Sequence, residues 1–327
     1  MASDNQVDRP RPSAPSVQVQ AAATVGNFGP GFDCFSLALA GLGDHVTLRA
    51  ADEDTLSFNG PNAEAVPLDW RRNCIGATLD ALRAATGVQE RFQVDVVKGQ
   101  PGGSGLGSSA SSSGGAALAF AALYPDAGLG AEDLVRAAGA GEAVAAGRHH
   151  DDVAAVILGG LALVLEGPDG PSARRVQPPD DLHLAAVAPE LEVPTREMRA
   201  LLPAQVPLAD AVHNAARTAA LVDACHAGDV AAVGACLDDR LATPYRARRL
   251  DYLPSVRAAA GRAGAYGSAL SGSGPAVVAV CDDQGVATEV ADAMLDALVG
   301  AGETGRAFVA RPEFGEPYAI ANSGKRA

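Results

Sequence analysis

The chain contains few aromatic side chains and almost no lysine. Phe, Trp and Tyr make up 4% of its 327 residues, so a hydrophobic core must consist mainly of Ala, Val and Leu. Lysine occurs only as Lys98 and Lys325, and arginine supplies the remaining positive side chains. In a chain of this kind, a lysine at position 98 favours a functional role for that residue.

The five cysteines include no CxxC pair, which argues against a zinc site or a disulfide framework. Scattered cysteines in an odd number indicate a reducing compartment, and we expect a cytoplasmic protein. No apolar run approaches the ~20 residues that cross a bilayer. Residues 1–15 contain charge and several prolines without an apolar signal core, and we expect them to form a disordered tail.

The formal net charge of -14 excludes whole classes of partner. An acidic surface repels nucleic acid and anionic membranes, so we expect neither as a partner. A nucleotide is not excluded, because a ring of backbone N–H groups can hold phosphate on an acidic protein.

Strand-like and helix-like segments are mixed along the chain and indicate an α+β protein with two domains. The stretch 167–180 is rich in Pro, Gly and charge, so we place one domain at 16–170 and the other at 171–327. The main predicted elements are strands over 16–23 and 92–97, helices over 73–86, 109–123 and 208–227, and a hairpin over 265–281.

Residues 103–113 read GSGLGSSASSS and form the strongest local signal in the sequence. Glycines let the backbone turn its N–H groups inward, and the helix that follows offers a partly positive N-terminus to an anion. A flexible linker would not lie between a strand and an apolar helix. The loop lacks the GK[ST] ending of a Walker A motif and the later acidic residue of a dinucleotide fingerprint.

Two further glycine-rich stretches, 26–33 and 267–275, could by themselves be an ordinary loop and a tight hairpin turn. Taken in order, the three stretches resemble the signature of the GHMP kinase superfamily. Within it the chain is similar to the homoserine kinase family, through NFGPGFD at 27–33, HHDDVAAVILGG at 149–160, TREMR at 195–199 and PYR at 244–246.

The resemblance implies both a fold and a reaction. The first domain is expected to resemble domain 2 of ribosomal protein S5, with a left-handed βαβ unit that breaks the usual rule of handedness. The second domain is expected to be ferredoxin-like, with ATP and substrate in the cleft between them. The implied reaction transfers a phosphoryl group from ATP to the side-chain hydroxyl of L-homoserine, a step towards threonine.

The resemblance also implies the nucleotide site, with ATP and Mg²⁺ as cofactors. Ser109 and Glu142 are expected to bind Mg²⁺, although position alone would suggest a solvated helix glutamate. Asn73 is expected near the adenine, and a helix N-cap is its alternative role. The other expected nucleotide-binding residues are Lys98, Gly103, Ser104, Gly105, Leu106, Gly107, Ser108, Gly272, Ser273 and Gly274.

The acceptor site is implied in the same way. The family's pair of arginines binds the substrate carboxylate, while an asparagine and an aspartate meet the amino group and the hydroxyl. His150 competes with the preceding histidine for its place, and each arginine alone could form a surface ion pair. The expected substrate-binding residues are Asn27, Asp33, His149, Arg199 and Arg246.

One departure from the family pattern suggests a mechanism. The family usually has Asn at the position of Asp152, which follows Asp151. In mevalonate kinase, an aspartate near this position resembles a catalytic base. We therefore expect Asp152 to accept the proton of the attacking hydroxyl, with Ser109 and Glu142 as the other catalytic residues. Ala155 replaces the usual proline of the family. The sequence therefore indicates the identity of the substrate less firmly than it indicates kinase chemistry.

Three alternatives remain open. The acceptor could be threonine, another amino acid, mevalonate or shikimate, although two arginines and Asp33 suit an amino acid. The chain could bind a nucleotide as a sensor without turnover. A nucleic-acid module of the S5 type is disfavoured by the acidic charge. The sequence leaves the oligomeric state open, with a homodimer among the alternatives.

Overall fold

The computed structural model describes residues 12–13, 15–147, 149–168, 170–314 and 319–321. Its strands are β1 (Val17–Gln20), β2 (Ala23–Gly26), β3 (Phe35–Leu39), β4 (His45–Ala51), β5 (Thr55–Asn59), β6 (Arg91–Val97), β7 (Leu161–Gly167), β8 (Gly170–Val176), β9 (His183–Pro189), β10 (Gly267–Leu270), β11 (Val277–Cys281), β12 (Gly305–Ala310) and β13 (Ala319–Ala321). Its α-helices are α1 (Cys74–Thr86), α2 (Ser108–Leu123), α3 (Ala131–Ala145), α4 (Asp151–Leu158), α5 (Thr195–Ala200), α6 (Leu208–Ala227), α7 (Val230–Ala235), α8 (Thr243–Arg246), α9 (Leu253–Arg262) and α10 (Gln284–Gly300). Short 3₁₀ turns lie at Ala63–Ala65, Trp70–Arg72, Pro125–Ala127 and Ala247–Arg249.

The described strands form three sheets. A five-stranded sheet has the order β13-β1-β4-β6-β5, and two four-stranded sheets have the orders β2-β3-β7-β8 and β10-β11-β9-β12. Strands β5 and β6 pair in parallel and are connected through α1. The third sheet follows the chain order β9, α5–α9, β10, β11, α10, β12, which is the split βαβ arrangement of ferredoxin-like domains. The predicted α+β fold is therefore confirmed.

Helix α2 lies at the centre of the first domain. Most of its residues are buried, and it packs against α1, α3, α4 and β4. Its glycines admit close neighbours, because a Cβ on Gly114 would lie 2.6 Å from Val156 and a Cβ on Gly115 would lie 2.8 Å from Val46. The small side chains that make the sequence Ala-, Ser- and Gly-rich thus let the helix sit deep in the core and fix the position of its N-terminus.

Most predicted elements are confirmed, and one is too long. Helix α6 has the predicted bounds, and α1 begins one residue late because Asn73 caps it. The predicted strand over 16–23 is confirmed as β1 over Val17–Gln20 only, because the chain then crosses to another sheet, where β2 begins at Ala23. A continuous apolar alternation does not reveal where the chain crosses from one sheet to another. Strand β8 was not predicted, because its sequence GPSARRV contains Pro and charge.

The predicted boundary between residues 170 and 171 lies inside β8, directly after the turn of a hairpin. Strands β7 and β8 pair from Leu161 with Val176 to Gly167 with Gly170, so a division there would cut paired strands. We propose to divide the chain after Val176 instead. Strand β13 pairs with β1, so the chain returns to the first sheet.

The predicted tail over 1–15 lies largely outside the described residues. Within it, the Ser13 amide donates to the Leu123 carbonyl over 2.7 Å. Among the parts of the chain that the structure describes, no helix combines the length and apolarity needed to cross a bilayer.

Candidate active site

A cavity of about 680 Å³ gathers most of the predicted site residues. Its walls come from both halves of the chain, through residues 26–152 and 192–273. Ser104, Leu106 and Gly274 do not line it, since the first two are buried in the loop and the third packs against Leu270. The predicted residues that do line it are Asn27, Asp33, Asn73, Lys98, Gly103, Gly105, Gly107, Ser108, Ser109, Glu142, His149, Asp152, Arg199, Arg246, Gly272 and Ser273.

The loop before α2 presents a run of free backbone amides, which we call the phosphate loop (residues 102–110). None of these amides donates a hydrogen bond to another described residue, and no side chain caps α2. Gly103, Gly105 and Gly107 have φ values of 69°, 78° and 64°, in the left-handed region that glycine adopts without strain. Free amides at the start of a buried helix form an anion site.

The other two glycine-rich stretches hold the phosphate loop in place. The Ser271 hydroxyl donates to the Gly105 carbonyl over 2.5 Å, and the Gly272 amide donates to the Gly26 carbonyl over 2.9 Å. A Cβ on Gly107 would lie 1.9 Å from the Thr24 hydroxyl oxygen, so only glycine fits there. All three stretches therefore meet at one end of the cavity.

Ser109 and Glu142 lie side by side in this region. Ser109 Oγ donates to Glu142 Oε2 over 3.1 Å, and Ser113 Oγ lies 3.4 Å from Glu142 Oε1. Glu142 is 4% exposed and is no solvated surface residue. Burial, and secondarily the charge of Asp152, raise the pKa of Glu142 to about 8. A carboxylate beside a hydroxyl supplies the hard oxygen ligands that suit Mg²⁺ next to a polyphosphate.

Lys98 lines the cavity, but protein groups already surround its ammonium. Nζ donates to Asp44 Oδ2 over 2.5 Å, to the Ser108 carbonyl over 2.9 Å and to Ser112 Oγ over 2.8 Å. An ammonium has three hydrogens to donate, so these contacts use its full capacity. The buried pair of Lys98 and Asp44 therefore ties the end of β6 to the first turn of α2. Contact between Lys98 and the nucleotide stays a prediction.

Asn73 also has a structural role. Its Oδ1 accepts from the Ile75 amide over 2.9 Å and caps α1, while its Nδ2 donates to the Pro67 carbonyl over 2.7 Å. The helix-cap alternative is therefore what the structure shows. The residue still lines the cavity, beside the 3₁₀ turn that precedes α1.

The cavity also carries an ion-paired cluster. Arg199 contacts both carboxylate oxygens of Asp33 over 2.9 and 2.5 Å, and His149 Nδ1 lies 3.5 Å from Asp33 Oδ1. Burial acts to raise the pKa of Asp33, but hydrogen bonds from His149 and Arg199 outweigh it and lower the pKa to about 2. His150 instead contacts Glu166 over 2.5 Å, so His149 is the histidine that faces this cluster.

Arg246 completes the cluster formed by Asp33, His149 and Arg199. It is 4% exposed, donates to the Gly272 carbonyl over 2.8 Å and has no partner for Nε among the described residues. Asn27 Nδ2 contacts the same carbonyl over 3.3 Å. The Phe32 ring lies 5.3 Å from the Arg199 guanidinium and 5.5 Å from that of Arg246, within cation–π range of both. Two guanidinium groups thus flank one ring beside the cavity.

Asp152 lines the cavity between the phosphate loop and the Asp33–Arg199 cluster. Its Oδ1 accepts from the Thr24 hydroxyl over 2.8 Å and from the Ser36 hydroxyl over 2.6 Å. Its Oδ2 has no hydrogen-bond partner among the described residues. Next to it, burial and the charges of Asp152 and Asp33 raise the pKa of Asp151 well above its usual value.

Sequence reasoning missed several residues of the site. Phe32 lies inside the NFGPGFD stretch, so its motif could have indicated it. Ser36 and Asp44 carry no local signal, because each reaches its partner across more than 50 residues of chain. Asp151 was read as part of a motif but was given no role.

Comparison with known proteins matches both halves of the chain. The GHMP kinases N terminal domain matches residues 73–160, and the GHMP kinases C terminal domain matches residues 221–300. A homoserine kinase of Halorubrum lacusprofundi is 41% identical over 297 residues, which cover 90% of this chain and 96% of that protein. One of Thermococcus gammatolerans is 38% identical over 289 residues, covering 88% and 94%.

A solved structure agrees with these matches. The crystal structure of a homoserine kinase from Cytophaga hutchinsonii superposes with a TM-score of 0.86 at 29% identity, covering 94% of this chain and 98% of that one. The fold, the free amides of the phosphate loop and both matched domains place the chain among the GHMP kinases, which are small-molecule kinases. Within that class, the chain belongs to the homoserine kinase family.

The Lys98–Asp44 pair yields a prediction that distinguishes a structural role of Lys98 from a role in binding the nucleotide. Lys98→Met is expected to lower the free energy of unfolding by about 3–5 kcal/mol, because it leaves a buried carboxylate without its partner. The double variant Lys98→Met/Asp44→Leu should recover part of this loss. Urea unfolding measures both. A stable Lys98→Met protein with a raised KM for ATP would instead show that the lysine acts on the nucleotide.

Proposed function

We propose that the protein transfers the γ-phosphoryl group of ATP to the side-chain hydroxyl of L-homoserine, forming O-phospho-L-homoserine for threonine biosynthesis. One observation supports this most directly. A single cavity is lined both by residues of the phosphate loop with free amides, Gly102, Gly103, Gly105, Gly107, Ser108 and Ser109, and by the Asp33–Arg199–Arg246 cluster. The first suits a polyphosphate, and the second suits an amino acid.

The acceptor end complements an amino acid in charge. Asp33 and Arg199 neutralise each other in this structure, and within the described ranges Arg246 has a buried Nε without a hydrogen-bond partner. A zwitterion could take the place of both halves of that pair, with its carboxylate on the arginines and its ammonium on Asp33. A neutral polyol offers neither charge, and a hydroxylated carboxylic acid offers only one.

The residues present would hold Mg²⁺ through Ser109 and Glu142. Both supply oxygen ligands, and their side chains are 3.1 Å apart. When bound, Mg²⁺ would neutralise charge that develops on the phosphate oxygens. The protein's own part is to place the phosphates on its amides and to hold the acceptor hydroxyl in line with them.

Asp152 is proposed to accept the proton of the attacking hydroxyl. The two hydroxyl donors on Oδ1 fix the orientation of the carboxylate, which leaves Oδ2 for the substrate. Thr24 and Ser36 are fully buried, so water does not compete for these bonds. Phosphoryl transfer depends mainly on positioning of the reacting groups and needs little covalent help from the protein. A proton acceptor at Asp152 is consistent with that requirement.

The remaining parts of the proposal rest on sequence. A cytoplasmic location and the absence of nucleic-acid and membrane partners stay predictions, and so does a homodimer. A nucleotide sensor without turnover is the competing function, and the activity test below distinguishes the two.

The acceptor test measures ATP consumption and product formation with homoserine, threonine, serine, mevalonate and shikimate. Homoserine is expected to give the highest kcat/KM, and amino acids as a group should exceed mevalonate and shikimate because only they carry both charges. Preference for a non-amino-acid acceptor would refute the proposal. ATP binding without product from any acceptor would establish a sensor.

Glu142→Gln tests the metal assignment. Turnover is expected to fall at least about 100-fold, because a neutral amide is a poor ligand for Mg²⁺. The variant should be at least as stable as the parent, since burial disfavours the ionised glutamate. The same change at exposed Glu132 on α3 is the matched control and should leave both properties unchanged. Full turnover of Glu142→Gln at ordinary Mg²⁺ would exclude this residue as a ligand.

Asp152→Asn tests the proposed base. Loss of a general base is expected to lower kcat by about 10²–10⁴-fold, with the KM values for ATP and homoserine little changed. Steady-state kinetics provide the measurement, and Asp223→Asn on the exposed surface of α6 is the control. Unchanged turnover would remove Asp152 from the mechanism.

A further inference from the structure

A buried polar hub connects the two segments that carry the acceptor-binding residues. Its centre is Asn214 on α6, which is 2% exposed. Asn214 Nδ2 donates to the Pro30 carbonyl over 3.0 Å and to Asp239 Oδ1 over 2.9 Å, and its Oδ1 accepts from the Arg240 amide over 2.9 Å. Both hydrogens of the side-chain amide are therefore used inside the protein.

Asp239 fixes the segment that leads into α8. Its carboxylate accepts from the amides of Leu241 over 2.8 Å, Ala242 over 3.1 Å and Thr243 over 2.6 Å. Helix α8 begins at Thr243 and ends at Arg246. Burial lowers the pKa of Arg246, and the nearby charge of Asp239 opposes that effect. Asp239 therefore holds the backbone that leads to Arg246 and is one of the nearby carboxylates whose charge favours the guanidinium.

Pro30 lies in the middle of the loop that carries Asn27 and Asp33. Both of these residues have left-handed backbones, with φ values of 64° and 57°. Such conformations persist only where the surroundings hold them. The Pro30 carbonyl, between them in sequence, is bound from behind by Asn214.

We propose that Asn214 and Asp239 are positioning residues that set the separation of Asp33 from Arg246 and thereby the affinity for the acceptor. This inference rests on the proposed function, in which these two groups bind opposite ends of an amino acid. Neither hub residue lines the cavity, and neither has a hydrogen bond to the phosphate loop. The hydrogen bonds of the hub therefore reach the segments that carry Asp33 and Arg246 and do not reach the phosphate loop itself.

The test replaces Asn214 with leucine, which has a similar shape and no polar atoms. The KM for homoserine is expected to rise at least about tenfold, because the Pro30 carbonyl loses its shorter hydrogen bond and keeps only the 3.4 Å contact with the Thr218 hydroxyl. The KM for ATP should change less than about twofold, since neither hub residue lines the cavity or hydrogen-bonds to the phosphate loop. KM does not depend on the folded fraction, so partial destabilisation leaves this comparison intact.

Leu221→Ala is the matched control, because it disturbs the buried side of the same helix two turns away. It should lower the melting temperature while leaving the KM for homoserine unchanged. Asp239→Asn is the second variant, used alongside Asn214→Leu. It keeps the side-chain shape but has one acceptor oxygen too few for its partners, and the KM for homoserine should again rise.

An unchanged KM for homoserine in both hub variants, or an equal rise in the KM for ATP, would overturn the positioning role. Failure of the parent protein to phosphorylate homoserine would refute the proposed function instead. The same variants are then compared on whichever acceptor the panel identifies, where a selective rise in the acceptor KM supports the hub and an unchanged one refutes it.

Discussion

The site depends on the close approach of three stretches of backbone that have almost no side chains between them. The Gly272 amide binds the Gly26 carbonyl, and Ser271 binds the Gly105 carbonyl. A Cβ on Gly26 would lie 3.0 Å from Asp152 and 3.2 Å from the Gly272 backbone. The packing brings the N-terminal strand β2, the phosphate loop and the turn after β10 to one place. The phosphate loop lines the cavity through Gly102, Gly103, Gly105, Gly107, Ser108 and Ser109, and its amides donate to no other described residue, which makes an anion site on a protein with a net charge of -14.

Around this backbone frame, the protein buries charges in two different ways. Lys98 and Asp44 are buried as a satisfied pair, and their role is to hold the first turn of α2. Glu142 is buried without a cation, so its pKa rises to about 8 and its ionised form is disfavoured. A metal ion beside the phosphates would remove that penalty. Stability is thus given up at Glu142, where Mg²⁺ is proposed to bind, and kept at Lys98, whose ammonium already has three protein partners.

Around the acceptor, some residues face the cavity and others hold those residues in place. Asp33, Arg199 and Arg246 face the cavity, while Asn214 and Asp239 lie behind them in the second half of the chain. Selection of an acceptor requires two charged groups at a fixed separation, and that separation is only as firm as the buried hydrogen bonds that hold their backbones. A site assembled from both halves of the chain needs such a connection.

The phosphate loop could be predicted from sequence more completely than the other parts of the cavity. The phosphate loop was predictable because its requirements are local, since glycines at 103, 105 and 107 are needed for left-handed backbone and a helix follows directly. Asn73, Lys98 and His149 were singled out by motif, but motif alone did not show that Asn73 caps a helix or that Lys98 is paired with Asp44. The predicted strand over 16–23 was too long, because alternation of apolar residues does not say where the chain leaves one sheet for another.

The sequence by itself determined the chemistry of the loop, the class of fold and the family, since these depend on residue types at short, fixed spacing. Only the tertiary structure decided which groups share a partner. Thr24 and Ser36 meet Asp152 from more than 100 residues away, and Asn214 meets Pro30 from 184 residues away. The physical reason is that a hydrogen bond depends on distances of about 3 Å between atoms, and for residues far apart in the chain those distances exist only after the core has packed.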